Sequence, residues 1–169
     1  FSEAEKTIAR NALDQWSSQS GLVFLEVPSG QGDMRFASYD FSQLADPGYM
    51  NAAGFAYYPG VSAVGNDLLN PGSNYSYSSD TGGDVFINTN VTNNILLLLH
   101  EIGHALGFKH TFDDDPVMDA AHDSRTYTVM SYTGSTPVLG PFDIQAAQAK
   151  YGTVDGSHLT SYPWNSGAL

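Results

Sequence analysis

The chain has 169 residues, which suits one well-packed domain and is short for two. Its 18 Asp and Glu against 6 Lys and Arg give a net charge of −12, which argues against nucleic acid or an anionic membrane surface as a partner. The absence of cysteine excludes disulfides and thiolate metal ligands, and the longest apolar run, Ile95–Leu99, is far too short to span a bilayer.

The first predicted element is a helix. Ser2 and Glu5 form a capping-box pattern, which is typical of a helix start. Apolar residues then recur at helical spacing as far as Trp16 and should face a core, and the helix should end near Ser20.

Four later segments read as strands because short apolar stretches are bounded by Gly, Pro or Ser. They are Leu22–Val27, Asp33–Tyr39, Gly54–Tyr58 and Asp84–Asn88. Between the third and the fourth, residues 61–81 are rich in Asn, Ser, Gly and Tyr, which predicts an irregular surface loop.

Two helices are predicted in the second half of the chain. The first should be capped by Thr92 or Asn93, and its run Ile95–Leu99 is apolar all round, so both of its sides must be covered. The second should run from about Phe142 to Lys150, with Asp143 favouring the dipole at its N-terminus.

A histidine motif lies within the first of these helices. Residues 100–110 read HEIGHALGFKH, so that His100 and His104 lie four apart on the same helical face. Gly107 can take a positive φ, end the helix and turn the chain back, which lets His110 approach the same ion. Three neutral histidines leave one tetrahedral position open for water, as in a catalytic zinc site.

Glu101 follows the first histidine at the edge of the metal-facing side. Zinc lowers the pKa of bound water from ~15.7 towards about 7. The Glu101 carboxylate can take the proton of that water and later hand it to the leaving amine, so we expect it to act as general base and then acid.

A methionine turn follows downstream, where residues 127–132 read YTVMSY. HExxHxxGxxH followed by such a turn resembles the metzincin clan of zinc endopeptidases. Tyr132, two residues after Met130, resembles the serralysin family, whereas matrix metalloproteinases lack that tyrosine. Astacins carry it but usually have glutamate after the third histidine, where this chain has Thr111. Further stretches agree with serralysin-like domains: 54–60, 82–89 and 142–152.

The resemblance implies an α+β fold of the α/β-sandwich kind. A twisted, mostly parallel sheet with an antiparallel edge strand would lie above the active-site helix, and a small C-terminal helical subdomain below it, with the zinc cleft between. Residues 1–169 would form one catalytic domain, with an upper part over about 1–107 and a lower part over about 108–169. Serralysins usually add a strand before the first helix and calcium-binding repeats at the C-terminus. Neither is recognisable here, so we expect that Phe1 starts a mature or trimmed product without the repeats.

The resemblance also implies roles for single residues. Tyr132 would be a distant fifth zinc ligand that swings away and donates a hydrogen bond to the oxyanion. Met130 would form a packed floor beneath the zinc, and Gly107 would support the turn to the third ligand. An extended substrate would pair with the upper edge strand of the cleft, at Gly54, Phe55 and Ala56.

The resulting prediction is a secreted, extracellular, monomeric zinc endopeptidase that cleaves extended polypeptides, with a proteinaceous inhibitor as a further candidate partner. An alternative is a catalytically weak or inactive zinc module that binds a protein partner. A thermolysin-like enzyme is a third option, which would take a glutamate ligand from a later helix and would not need His110.

Calcium is a further candidate ion. Asp113–Asp115, or Asp80 together with Asp84, could bind a cation, although adjacent carboxylates are more typical of a solvated loop, and the spacing is not that of an EF-hand. His122 and His158 lack partners by spacing and are expected on the surface.

Overall fold

The computed structural model describes residues 1–60, 64–66, 74–76, 81–91 and 93–155. It confirms a mixed α+β fold, with a small mixed sheet and several helices. In chain order the elements are α1 (Glu3–Gln19), β1 (Phe36–Tyr39), a 3₁₀ turn (Phe41–Gln43), α2 (Pro47–Met50), β2 (Gly54–Ala56), β3 (Val64–Asn66), β4 (Asn74–Ser76), β5 (Val85–Asn88), α3 (Ile95–Ala105) and α4 (Pro141–Tyr151).

The main sheet has the order β1-β5-β2. β1 pairs with β5 in parallel, with Phe36 opposite Val85. β2 pairs with β5 in the antiparallel sense, with Gly54 opposite Ile87. The predicted antiparallel edge strand is therefore β2, which is an edge of this sheet among the described strands.

The core lies around α3, which contacts α1 as well as β2 and β5. Trp16 of α1 is fully buried, and its indole Nε1 donates to the carbonyl oxygen of Leu99 at 3.3 Å. From Leu98 to Ala105 every residue of α3 is buried. In the apolar run Ile95–Leu99, Leu98 and Leu99 are buried, whereas Ile95, Leu96 and Leu97 are only partly buried, so the predicted coverage of both sides holds for the end of the run alone.

The helix caps agree with the sequence at α1 but differ at α3. Ser2 and Glu5 form the predicted capping box. Asn94, and not Asn93, caps α3, because its side chain accepts a hydrogen bond from the amide of Leu97. Asn93 takes a left-handed φ of 53° just before the cap. Thr92 lies outside the described residues.

The predicted strand at Leu22–Val27 is wrong, since no described strand pairs with this segment. Its side chains do alternate: Leu22 and Phe24 pack against the core, whereas Val23 and Leu25 are 79% and 82% exposed. The alternation sets which face is buried, but a strand also needs a hydrogen-bonded neighbour.

The loop prediction for residues 61–81 is wrong where β3 and β4 pair in the antiparallel sense, with Val64 opposite Ser76. Residues 61–63, 67–73 and 77–80 lie outside the described part of the chain. None of the helices described is long and apolar enough to cross a membrane.

Candidate metal centre

The structure brings the three motif histidines together. His100 and His104 lie on α3, and their Nε2 atoms are 3.2 Å and 3.0 Å from Nε2 of His110. Helix α3 ends just before Gly107, whose φ of +87° turns the chain back. The amide of Phe108 then donates to the carbonyl of Gly103 and closes the turn. His110 therefore reaches the cluster from a different direction than the two helical histidines.

The spacing of the three nitrogens fits a zinc ion. A tetrahedral ion with Zn–N bonds of about 2.0–2.1 Å separates its nitrogen ligands by about 3.3 Å. The observed 3.0–3.2 Å is close to that value, and the ligand atoms of all three residues lie within 4.8 Å of one another. Outward movements of a few tenths of an ångström by the three Nε2 atoms would bring them to the spacing of zinc ligands.

Each imidazole is oriented through its other ring nitrogen. Nδ1 of His100 donates to the carbonyl of Val129 at 2.7 Å, and Nδ1 of His104 donates to the carbonyl of Phe108 at 2.8 Å. Nδ1 of His110 lies 2.5 Å from a carboxylate oxygen of Asp113. Since a carbonyl can only accept, these bonds place the proton on Nδ1 and leave Nε2 free to bind a metal.

Burial sets the protonation of the site. It lowers the pKa of His100 to about 3 and of His104 to about 4, so both rings are neutral near pH 7, as metal ligands must be. Burial also raises the pKa of Glu101 to about 8. Its Oε2 is buried and has no hydrogen-bond partner among the described residues. A buried carboxylate oxygen without a partner among the described residues, beside three clustered imidazoles, fits a site built for an ion and a water molecule.

Glu101 lies against the edge strand β2. A methyl group at Gly54 would lie only 3.0 Å from both Cγ and Oε1 of Glu101. Gly54 therefore lets the strand backbone approach the carboxylate. Phe55 instead stacks on Phe86, with ring centroids 4.9 Å apart, and Ala56 packs against the core. The side chains of these two predicted substrate-binding residues are thus engaged within the protein.

Tyr132 faces the metal-binding nitrogens. Its hydroxyl lies 2.9 Å from Nε2 of His110. The residue is 61% exposed. The ring of Phe112 packs on both Tyr132 and His110. The sequence prediction placed this hydroxyl near the ion, and the structure places it at the nitrogen that would bind the ion.

Met130 lies beneath α3. It is 3% exposed, and a methyl group on Gly103 would overlap its sulfur atom. The glycine within HEIGH therefore lets the methionine turn pack directly against the helix. Gly107 is similarly close to Lys150, since an added methyl group would meet its ammonium group.

A matrixin family profile matches residues 2–152 of the chain. The chain belongs to the matrixin family. Among proteins similar to it, a serralysin of Proteus mirabilis is 33% identical over 99% of this chain and 39% of that protein. The metallopeptidase AprA of Pseudomonas marginalis is 30% identical over 98% of this chain and 38% of that protein. Matrix metalloproteinase-2 of Drosophila melanogaster is 33% identical over 69% of this chain and 15% of that protein.

These relatives support a serralysin-like metzincin, as the resemblance of the motifs indicated. The chain spans about two fifths of the length of the first two proteins.

Sequence reasoning missed most of the role of Asp143. As predicted, it lies at the start of α4, where its Oδ2 accepts from the amide of Gly140 at 2.8 Å. However, the carboxylate is buried and also accepts from the amide of Val129 at 2.8 Å and the hydroxyl of Thr128 at 2.6 Å. It thereby holds the residue whose carbonyl orients His100. No local pattern signals a contact between segments fourteen residues apart.

Arg125 was also missed. Its Nε donates to the carbonyl of Ser131 and its Nη1 to that of Gly134, both at 2.9 Å. Its charge also helps to lower the pKa of His100, after the larger effect of burial and the contribution of the other two histidines. An isolated Arg in the printed sequence gives no signal of this role.

Among the acidic residues considered for calcium, the carboxylate of Asp113 contacts Nδ1 of His110. The ammonium group of Lys109 donates three hydrogen bonds to the backbone carbonyls of Asp113, Asp114 and Pro116, at 2.5, 2.6 and 3.1 Å. Asp84 is ion-paired with Arg35 at 2.6 Å. Asp80 lies outside the described residues.

The two remaining histidines are His122 and His158. His122 has a partner after all, since its Nδ1 lies 2.7 Å from the carboxylate of Asp119. The spacing argument failed because the turn between these residues brings them together. His158 lies outside the described part of the chain.

Proposed function

We propose that the chain is the catalytic part of a zinc-dependent endopeptidase. The observation that carries this proposal is the convergence of three Nε2 atoms beside the buried, unpartnered carboxylate of Glu101. His100, His104 and His110 would hold the ion. When bound, zinc supplies a Lewis acid that lowers the pKa of water and polarises a substrate carbonyl.

In this proposal Glu101 moves the proton. Its carboxylate takes a proton from the attacking water and delivers it to the nitrogen of the leaving amine. Burial supports that role, because it raises the pKa of Glu101 to about 8, close to neutral pH, where a carboxyl group can both take up and release a proton. The missing partner of Oε2 supports it too, since no protein donor competes for that oxygen in the described structure.

Tyr132 would stabilise the oxyanion that forms at the scissile carbonyl. Its hydroxyl is next to the metal-facing nitrogen of His110, and its exposure allows the ring to move without disturbing the core. Removing one such donor typically costs about 10²–10³ in rate.

The edge strand β2 would bind the substrate backbone. The carbonyl of Ala53 accepts a hydrogen bond from the amide of Asn88 in β5. The amide of Tyr57 donates to the carbonyl of Asp84, just before β5. By the alternation of an antiparallel pair, the backbone groups of Gly54 and Ala56 face away from β5, towards the free edge. An extended polypeptide can add there as a further strand, which requires no particular side chain of the substrate.

The wider parts of the proposal rest on the resemblance to serralysins. They are secretion to the outside of the cell, a monomeric state, and one catalytic domain over residues 1–169. Zinc is the only ion in the proposal. Of the carboxylates considered for calcium, that of Asp84 is paired with Arg35 and that of Asp113 contacts Nδ1 of His110.

The test is Glu101→Ala in the zinc-loaded protein. We expect cleavage of an unfolded protein substrate to fall at least about 100-fold, because the general base is removed, while the three ligands remain. Zinc content by elemental analysis should stay at one ion per chain. Glu26→Ala, which removes an exposed glutamate paired with Arg10, is the matched control and should cleave normally. Full cleavage by the Glu101 variant would overturn the role of Glu101.

A further inference from the structure

Arg125 lines a pocket that opens beside the histidine cluster. The pocket has a volume of about 200 Å³ and is lined in part by His100, Glu101 and Gly54. Asn94, Leu96 and Leu97, at the start of α3, form another part of its wall. Among the described residues that line the pocket, Arg125 is the only Lys or Arg. The pocket is therefore apolar on one side and carries a single cation on another.

The guanidinium of Arg125 is held in place before any ligand binds. Its Nε and Nη1 donate to the carbonyls of Ser131 and Gly134, and its backbone amide donates to the carbonyl of Thr133 at 2.7 Å. In the described part of the chain no carboxylate forms an ion pair with it, and Nη2 has no hydrogen-bond partner. A fixed guanidinium with unused donors is well suited to bind a carboxylate.

The position of the pocket links it to the proposed reaction. It touches three residues of the metal centre, His100, Glu101 and Tyr132, and also Gly54 on the strand that would bind the substrate backbone. A peptide paired with β2 and placed with its scissile carbonyl at the histidine cluster would direct a neighbouring side chain into this space. Glu101 supplies the only carboxylate among the pocket-lining residues that the structure describes, and it lies against Gly54 at the metal centre.

We propose that Arg125 is a specificity-determining residue that favours substrates with an aspartate or glutamate adjacent to the scissile bond. The proposal rests on the proposed endopeptidase function. Its recognition step is a charge-assisted hydrogen bond from the unused Nη2 donors to the substrate carboxylate, in a pocket whose other walls include Leu96 and Leu97. A glutamine of the same shape lacks the charge and binds less well.

A purely structural role for Arg125 makes a different prediction. If the guanidinium only braces residues 131–134, its loss slows the cleavage of every substrate by a similar factor. If it also binds the substrate carboxylate, its loss changes the ratio between acidic and neutral substrates. The ratio of kcat/KM values for a matched peptide pair therefore separates the two roles.

The experiment uses the zinc-loaded chain and two peptides that differ only in Glu or Gln next to the scissile bond, on the side selected by a mixed peptide library. For the unmodified protein we expect kcat/KM to be at least about tenfold higher for the Glu peptide. Arg125→Gln should bring the ratio to about one, and Arg125→Lys, which keeps the charge without the planar fork, should retain part of the preference. Arg10→Gln is the control, because it removes one exposed positive charge that is paired with Glu26 and should leave the ratio unchanged.

Equal cleavage of both peptides by the unmodified protein would overturn the assignment of Arg125 and leave the endopeptidase function standing. An unchanged ratio in Arg125→Gln would do the same, even if that variant is destabilised and slow. Failure of the zinc-loaded protein to cleave any peptide of the library would instead overturn the proposed function, and this inference with it.

Discussion

Two regions of the chain orient the three candidate ligands, and they differ in how far along the sequence their contacts reach. In the motif segment, residues 100–113, His104 bonds a carbonyl four residues away and His110 a carboxylate three residues away. His100 instead depends on the carbonyl of Val129, which is 29 residues away. That carbonyl belongs to the methionine turn, which Asp143 of α4 holds in place. One region is organised locally and the other by tertiary packing.

The difference explains why the two regions respond differently to mutation. The local partner of His110, Asp113, has a side chain that is 45% exposed, so water can replace it. The distant support, Asp143, is 2% exposed and satisfies three donors that water cannot reach. We expect the local contacts to tune metal binding and the distant contacts to sustain both metal binding and the fold.

The largest effect should come from removing a ligand. His110→Ala should lower zinc affinity on the order of 1,000-fold, since each ligand supplies several kcal/mol of a binding free energy of about 10–16 kcal/mol. Competition with a chromophoric chelator measures it. His122→Ala, which removes a histidine paired with Asp119 on the surface, is the control. Unchanged affinity in the His110 variant would rule out the metzincin-type site.

The next effect tests the distant region. Asp143→Ala leaves the amides of Val129 and Gly140 and the hydroxyl of Thr128 without their acceptor. We expect the free energy of unfolding to fall by about 3–5 kcal/mol. Zinc affinity should fall by about 10–100-fold as the carbonyl of Val129 loses its position. Urea denaturation and chelator competition measure the two quantities.

Asp143→Asn serves as the matched variant, because its amide oxygen can still accept from both backbone amides. It should recover most of the lost stability. If Asp143→Ala unfolds at the same urea concentration as the unmodified protein, Asp143 does not support the methionine turn.

The smallest effect should follow from the local region. Asp113→Ala removes the partner of His110, and we expect zinc affinity to fall by about tenfold. The free energy of unfolding should change by less than about 0.5 kcal/mol, because the side chain is partly exposed. A loss of stability as large as that of Asp143→Ala would contradict the distinction between the two regions.

The same distinction accounts for what could be predicted from the sequence. Spacing, caps and turns within a few residues predicted three features correctly. They are the helix around Trp16, the helix that begins at Pro141, and the cluster of His100, His104 and His110. The sequence signalled only the place of Asp143 at the start of α4, and not its contact with Val129, which is fourteen residues away. Arg125 gave no signal, because its partners Ser131 and Gly134, six and nine residues away, meet it through a turn that no motif marks. The segment Leu22–Val27 shows the converse, since its bounded apolar stretch is typical of a strand, but a strand requires a partner that no local pattern reveals.

Gly103 is an instructive case between these two classes. It lies within the histidine motif, yet its importance comes from Met130, which would overlap any side chain at that position. The motif could be read from the sequence, whereas the reason for a glycine inside it is tertiary.

The most direct test of the account is metal removal and restoration on the unmodified chain. Dialysis against a chelator, followed by one equivalent of zinc, should abolish and then restore cleavage of an unfolded protein substrate, with zinc content and activity rising together. The contradictory result is a chain that takes up one zinc ion per molecule and still leaves every unfolded substrate intact. That outcome would show that the histidine cluster binds metal without serving a peptidase.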